Sequence, residues 1–373
     1  MAYADTADKD TTSVFQKAYV TSFSSGVVDV VDLTNLAVEK AKIKVGNEPN
    51  SAAINPNKTQ VFVTNRADGT VSVIDPSTDT VISTIAVGAL PHGVTFNSDG
   101  SKAYVANYSS NSVSVIDTAN LSVIRTISVS NRPVAMAVIG DRLYLTQFGS
   151  SEVSVLDVKS DTVVSKIPVS SSPYGLSVNP AGSKIYVATD SGTTVDVIDT
   201  VTNKVEAIIP VGGPAYATEV SPDGSKVYVV KALSNSVTVI NAITNQVEKN
   251  IPVGSTPYVI GLSKDGSQAF TVNYGASTMS VIDTTNNTVI QTINLSPGPF
   301  MVGTFMVPVA VAVNTDTGNS GGPEDTEAPI VSTYSPEKNE QNVKVNSDLT
   351  LTFNEGVKAV SGKNISIWKP SYF

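Results

Sequence analysis

The chain contains no cysteine, which excludes a disulfide framework, a thiolate nucleophile and any Cys-ligated zinc or iron–sulfur centre. It has a single histidine, His92, so multi-histidine metal sites are excluded and a Ser-His-Asp arrangement has little material. Charge is scarce and acidic: charged residues are 15% of the chain, with 24 Lys+Arg, 33 Asp+Glu and a net charge of −9. No Lys/Arg cluster occurs, so nucleic acid is not an expected partner. Long apolar runs are missing too. The longest, Met306 to Val313, is far short of the ~18 residues that span a bilayer, and no membrane span is expected. Leucine is poor, 13 against 57 Val. Helix surfaces favour Leu, Glu, Lys and Arg, whereas β-branched residues fit a pleated sheet, so the expected class is all-β.

What is present is a repeat. Val-Ser-Val-Ile-Asp occupies 71 to 75, and variants end at Asp32, Asp117, Asp157, Asp199, Asn241 and Asp283, spaced 43, 42, 40, 42, 42 and 42 residues along the chain. Thirteen residues before each lies an aromatic: Tyr19, Phe62, Tyr104, Tyr144, Tyr186, Tyr228 and Phe270. Each unit reads as four short strands joined by Asn/Asp/Ser/Gly turns, as in Pro91 to Phe96, Lys102 to Ala106, Ser112 to Ile116 and Leu121 to Val129. Four strands per unit at this period predict a seven-bladed β-propeller. The chain enters at a second-type strand (Ala18 to Thr21), and the seventh first-type strand arrives only at Phe300 to Thr304. One blade is therefore expected to be built from both chain ends, which hides the sheet edges of an open array.

Phe62-Val63-Thr64-Asn65, Tyr104-Val105-Ala106-Asn107 and Tyr19-Val20-Thr21, each followed by the Val-x-Val-Ile-Asp strand, resemble the YVTN β-propeller repeats of archaeal and bacterial surface-layer and other secreted proteins, as does the Ser221 to Gly224 turn. The resemblance implies the propeller over 13–313 and a place at the cell envelope. It does not choose between scaffold, binding module and enzyme. An acidic Gly/Ser/Thr linker is expected over 314–328. Residues 329–373 resemble the opening strands of a bacterial Ig-like β-sandwich (Ile330 to Tyr334, Leu349 to Phe353, Ile365 to Trp368). About 45 residues are too few for a ~100-residue sandwich, so this reads as a truncated Ig-like domain whose strands could self-associate, dock on the propeller or lack order. The start, Met1-Ala2-Tyr3-Ala4-Asp5, reads as a mature secreted N-terminus with its leader removed and an initiator Met added, making an extracellular or cell-surface location the expectation.

Two repeat positions should share one mouth of the central channel. The residue after each first-strand Pro position (Ala215 in the sixth unit) gives Asn50, His92, Val134, Tyr174, Tyr216, Tyr258 and Phe300. The residue four past each strand-two aromatic gives Phe23, Arg66, Tyr108, Phe148, Asp190, Ala232 and Tyr274. Eight of the 23 Tyr and Phe fall in these two sets, where loops are normally polar. Such rings either offer a platform for sugar rings, apolar side chains and peptides or plug the channel. The ligand-binding candidates are Asn50, His92, Tyr174, Tyr216, Tyr258, Phe300, Phe23, Arg66, Tyr108, Phe148 and Tyr274.

No catalytic or metal-binding residue is assigned and no cofactor is expected. The chain has no P-loop, dinucleotide glycine fingerprint, G-x-S-x-G or EF-hand loop. The polar set near the mouth is sparse (His92, Arg66, Arg132, Glu48, Asp190, Glu219). Glu219 lies in an inner strand with Lys231 expected as its ion-pair partner rather than serving as a general base. The Asp ending each third strand should accept hydrogen bonds from the following turn, and Asp29 and Asp196 are read as facing solvent. These features favour a non-catalytic extracellular or cell-surface module that engages a cell-wall glycan or a surface or matrix protein. The alternative is a propeller lyase, hydrolase or quinone-dependent oxidoreductase with its site at the same mouth.

Overall fold

A computed structural model describes residues 16–303, 306–308, 331–335 and 350–353. Seven four-stranded antiparallel sheets form a β-propeller. Blade three is representative: Pro91–Phe96, Lys102–Asn107, Ser112–Asp117 and Ser122–Ser128, from the channel outward. Strands two and three are covered on both faces by neighbouring blades, which is why they read as near-continuous Val and Ile. Strand four is the rim, exposed except at its penultimate residue. In blades two to seven the ladder between strands three and four breaks at the Val-Ile step, as at Val115/Ile116 (Val155/Leu156 in blade four), a bulge that adds twist.

The core lies between blades. The strand-two aromatics Tyr19, Phe62, Tyr104, Tyr144, Tyr186, Tyr228 and Phe270 are at most 2% exposed. Phe62, Val71 and Val73 of blade two pack against Val94, Phe96 and Val105 of blade three. Several phenols also reach the next blade's outer turn. Tyr19 donates to Asp79 at 2.6 Å and Tyr144 to Asn203 at 3.0 Å.

Closure by both ends is present, with one difference from the expected spacing. Pro299 bridges Ser22, and Phe300 N–H donates to Thr21 O at 3.0 Å. Equal spacing would put Thr304 opposite Ala18, yet Ala18 pairs with Met306 within the strand Met306–Pro308. The inner strand is therefore split by a two-residue excess rather than running from Phe300 to Thr304. Gly303 takes a left-handed φ of 93° on the way, and Val302 N–H turns to Asn50 O of blade two at 3.0 Å. The seam is apolar as well: Val259, Phe270 and Met279 of blade seven share a cluster with Tyr19 and Val30 of blade one.

A second compact unit holds the antiparallel pair Val331–Ser335 and Thr350–Phe353, in register from Ser335–Thr350 to Thr333–Thr352 and shifted by one residue at Val331–Phe353. The expected strand 365–368, the linker 314–328 and the first fifteen residues lie outside the described residues.

Candidate functional site

The channel mouth is built by a repeated staple. The residue before each first-strand Pro is left-handed (Glu48, Leu90, Arg132, Ser172, Thr256 and Gly298, φ 50–68°), which aims its carbonyl at the loop after strand two. Arg66, Tyr108, Phe148, Asp190, Tyr274 and Phe23 donate their backbone N–H to those carbonyls at 2.8–3.0 Å. The two candidate sets are thus held side by side. Blade six departs: Ala215 replaces the Pro, Ala232–Ser234 form a 3-10 turn, and Ala232 brings no ring.

The rings meet in an unbroken run. Phe23 contacts Phe300 at 6.0 Å between centroids, Phe300 contacts Tyr258 at 4.6 Å, Tyr258 contacts Tyr216 at 5.2 Å and Tyr216 contacts Tyr174 at 5.5 Å. Tyr174 touches Phe148 at 6.0 Å, Phe148 touches Tyr108 at 6.4 Å, and Tyr108 stacks on His92 at 4.6 Å. Tyr274 joins through Tyr258 and Phe300. All eight aromatic candidates are partly exposed. Val134 and Ala135 of blade four and Val302 of blade one form one apolar cluster with Tyr108, Phe148, Tyr174 and Phe300. The rings therefore close the mouth while leaving part of each surface in water.

Asn50 and His92 are buried beneath, at 0% and 7% exposure. The Asn50 amide donates to His92 Nδ1 at 2.9 Å, and Asn50 Oδ1 is a buried acceptor without a partner. Burial, then the Arg66 charge, lowers the His92 pKa to about 4, so the imidazole is neutral near pH 7. Arg66 pairs with Glu48 at 2.7 Å and lies over the Phe23 ring at 5.9 Å, while Arg132 lies over Tyr108 at 5.7 Å. Burial, then Asp190, pushes the Tyr216 phenol up to about 12; burial, then the neighbouring Tyr274 ring and Asp190, raises Tyr258. Burial and the surrounding phenols of Tyr258, Tyr108 and Tyr216 raise Tyr174.

Two readings of polar residues are corrected. Glu219 and Lys231 do not pair. Glu219 stands opposite Tyr228 in the ladder and shares its face of the sheet, whereas Lys231, three residues on, faces the other way. Lys231 Nζ instead donates to Val211 O at 3.1 Å and Asn250 Oδ1 at 2.8 Å. Burial raises Glu219 to about 8. Asp29 and Asp196 do not face solvent; both are 0% exposed, because strand three is covered on both sides. Asp196 accepts from Ser170 N–H at 2.6 Å, and Asp29 from Ser296 N–H at 2.6 Å. In blades two and three strand two ends in Asn, and that side chain receives the loop instead, Asn65 from Gly46 N–H and Asn107 from Gly88 N–H, both at 3.1 Å. In blade seven, which ends strand two in Asn273, the Gly254 N–H goes to Ser280 Oγ at 3.3 Å. The signal was in the sequence: Asn65 and Asn107 accompany Ser72 and Ser114, while Ser22 and Thr189 accompany Asp29 and Asp196.

The third-strand Asp residues do cap their turns. Asp117 accepts from Ala119 and Asn120 N–H, and Asp157 from Lys159 and Ser160 N–H. Among the described residues, no three His, Asp or Glu side chains converge as a metal site, and no helix is long and apolar enough to cross a membrane.

Fold and mouth together define a closed seven-bladed propeller with one ring-lined end. The chain belongs to the YNCE-like beta-propeller family, whose model matches residues 47–147 and 182–308. Residues 325–371 match a bacterial Ig-like domain model. No curated protein matches the chain. Among solved structures it is similar to Kuenenia stuttgartiensis hydrazine synthase (TM-score 0.66, 23% identity, covering 76% of this chain and 99% of that one). It is also similar to a functionally unknown protein from Desulfotomaculum acetoxidans DSM 771 (0.68, 14%, 77% and 98%). A third is dihydro-heme d1 dehydrogenase NirN in complex with DHE (0.61, 16%, 78% and 66%). At these identities the likeness concerns the fold.

Proposed function

We propose that the propeller is a non-catalytic binding module of the cell envelope, with its ligand site on the aromatic mouth and a cell-wall glycan or a surface or matrix protein as its partner. The observation that carries this reading is the unbroken run of partly exposed rings from Phe23 to Tyr108. Rigid rings give contact area at low entropic cost. Binding is favoured over catalysis because the one imidazole has its Nδ1 occupied by Asn50 and is neutral and buried. The Ig-like match supports the placement at the envelope.

The test is retention of the full chain on purified cell walls and on matrix protein, wild type against Tyr216→Ala/Tyr258→Ala, with thermal melts of both. Each platform is worth ~1 kcal/mol beyond its buried area, so retention should fall about tenfold or more. A folded double variant retained as well as wild type overturns the mouth as the site.

A further inference from the structure

Charge around the mouth is uneven. On the arc of blades two to four stand Arg66, neutralised by Glu48 at 2.7 Å, and Arg132, set over Tyr108. On the arc of blades five to seven the mouth positions are Tyr174, Asp190, Tyr216, Ala232, Tyr258 and Tyr274, so Asp190 is the one charged side chain among them. Lys231, just before Ala232, is buried with its Nζ held by Val211 O and Asn250 Oδ1. Asp190 fills the repeat position held elsewhere by Phe23, Tyr108, Phe148 and Tyr274, and its N–H is stapled to Ser172 O at 3.0 Å just as theirs are. The repeat therefore exchanges a ring for a carboxylate at one place on the rim. Asp190 has no ion-pair partner among the described residues. The Tyr216 hydroxyl hydrogen-bonds it, and the Tyr258 phenol feels its charge.

Resting on the reading of the mouth as a binding site, the geometry points to an alkylammonium group as what the blade five to seven arc receives, seated against the Tyr174, Tyr216 and Tyr258 rings with Asp190 as its counter-ion. Ring faces attract cations through their quadrupole, and a partly desolvated carboxylate beside them adds to the attraction. An anion would meet Asp190 and a chain of net charge −9. A neutral sugar would use the rings and gain little from the charge. An ammonium uses both.

The experiment titrates the full chain with two alkylammonium probes, N-acetyl-lysine methylamide for a protein side chain and choline for a free quaternary amine. The neutral choline isostere 3,3-dimethylbutanol and N-acetylglucosamine serve as uncharged controls. Wild type, Asp190→Asn and Tyr216→Ala/Tyr258→Ala are compared by calorimetry at low and high salt, with melts to show that each folds. The expected result is that ammonium probes bind wild type at least about tenfold more tightly than the isostere, that Asp190→Asn removes this preference, and that salt weakens wild type only. Tighter binding of the lysine probe assigns a protein partner, and tighter binding of choline a free amine. If wild type does not prefer the ammonium probes, or Asp190→Asn keeps the preference, the inference is overturned. Loss of N-acetylglucosamine binding in the double Tyr variant with no change in Asp190→Asn would leave the mouth standing as a site and remove the cation from it.

Discussion

The Asp29 carboxylate accepts both the backbone N–H and the hydroxyl of Ser296, at 2.6 and 2.8 Å, across 267 residues of chain. Both groups sit at the seam where the last loop returns to the first blade. The same latch recurs as Asp196 with Ser170 and as Asn65 with Gly46, and in blade six it is reversed, Lys231 donating to Val211 O. A side chain at the end of strand two or the middle of strand three thus ties down each of these incoming loops, and with it the mouth residues that follow.

Asp29→Ala should destabilise the propeller by roughly 1.5–3 kcal/mol, because it strips charge-assisted bonds from a buried backbone donor. Urea unfolding followed by circular dichroism reads this directly. A midpoint equal to wild type would mean that the seam does not depend on the latch.

Gly175 lets neighbouring inner strands touch. Its N–H donates to Tyr216 O at 2.9 Å, and a Cβ there would stand 2.5 Å from that oxygen. Gly175→Ala should cost roughly 1–3 kcal/mol and displace Tyr216, so stability and ligand retention should fall together. Unchanged retention in a destabilised variant would separate the glycine from the mouth.

Two buried groups give opposite slopes against pH. His92 titrates near 4 when folded and at 6.5 ordinarily, so the unfolded chain takes up the proton first. The stability it contributes is full above about 6.5 and is lost as pH falls through 4, a difference of roughly 3 kcal/mol. Glu219 titrates near 8 when folded against 4.5 ordinarily, so the stability of its protonated form is present below 4.5 and lost as pH rises through 8. Glu219→Gln should therefore raise the melting temperature at pH 8 and leave it nearly unchanged at pH 4. An equal shift at both would show that the side chain's charge is not what matters.

The turn-capping aspartates act lower. Hydrogen bonds from the Ser160 backbone, with Arg142 beyond, hold Asp157 at about 2, and turn donors lower Asp75, Asp117, Asp199 and Asp283 as well. Their contribution is present above the ordinary carboxylate value and is lost as pH falls through the depressed ones. Melting temperature should drop steeply between pH 4 and 2, and Asp157→Asn should flatten part of that drop.

Much of the fold could be read from residues alone, because the strand-two aromatic and the Val-x-Val-Ile-Asp strand recur at near-constant spacing and each serves a local need, the interblade wedge and the capped turn. What escaped was relational. Counting by period carries no sign of the two-residue slip that pairs Met306 with Ala18. Pairing Glu219 with Lys231 overlooked that an odd separation from Tyr228 puts Lys231 on the opposite face of its strand. Asp29 and Asp196 looked outward only because a carboxylate usually does; a strand buried on both sides gives it nowhere to go but a loop N–H. The mouth residues could be picked by repeat position, whereas the contact of Tyr174 with Tyr216, and of Tyr216 with Tyr258, exists only once the ring has closed.

The central claim, that the aromatic mouth is a site as well as a stopper, is tested most directly by tyrosine-selective 13C NMR of the full chain during titration with soluble cell-wall fragments or N-acetyl-lysine methylamide. The account predicts ring shifts confined to Tyr108, Tyr174, Tyr216, Tyr258 and Tyr274, with the interblade Tyr19, Tyr104, Tyr144, Tyr186 and Tyr228 unmoved. Saturable binding that leaves the five mouth rings unperturbed would contradict it.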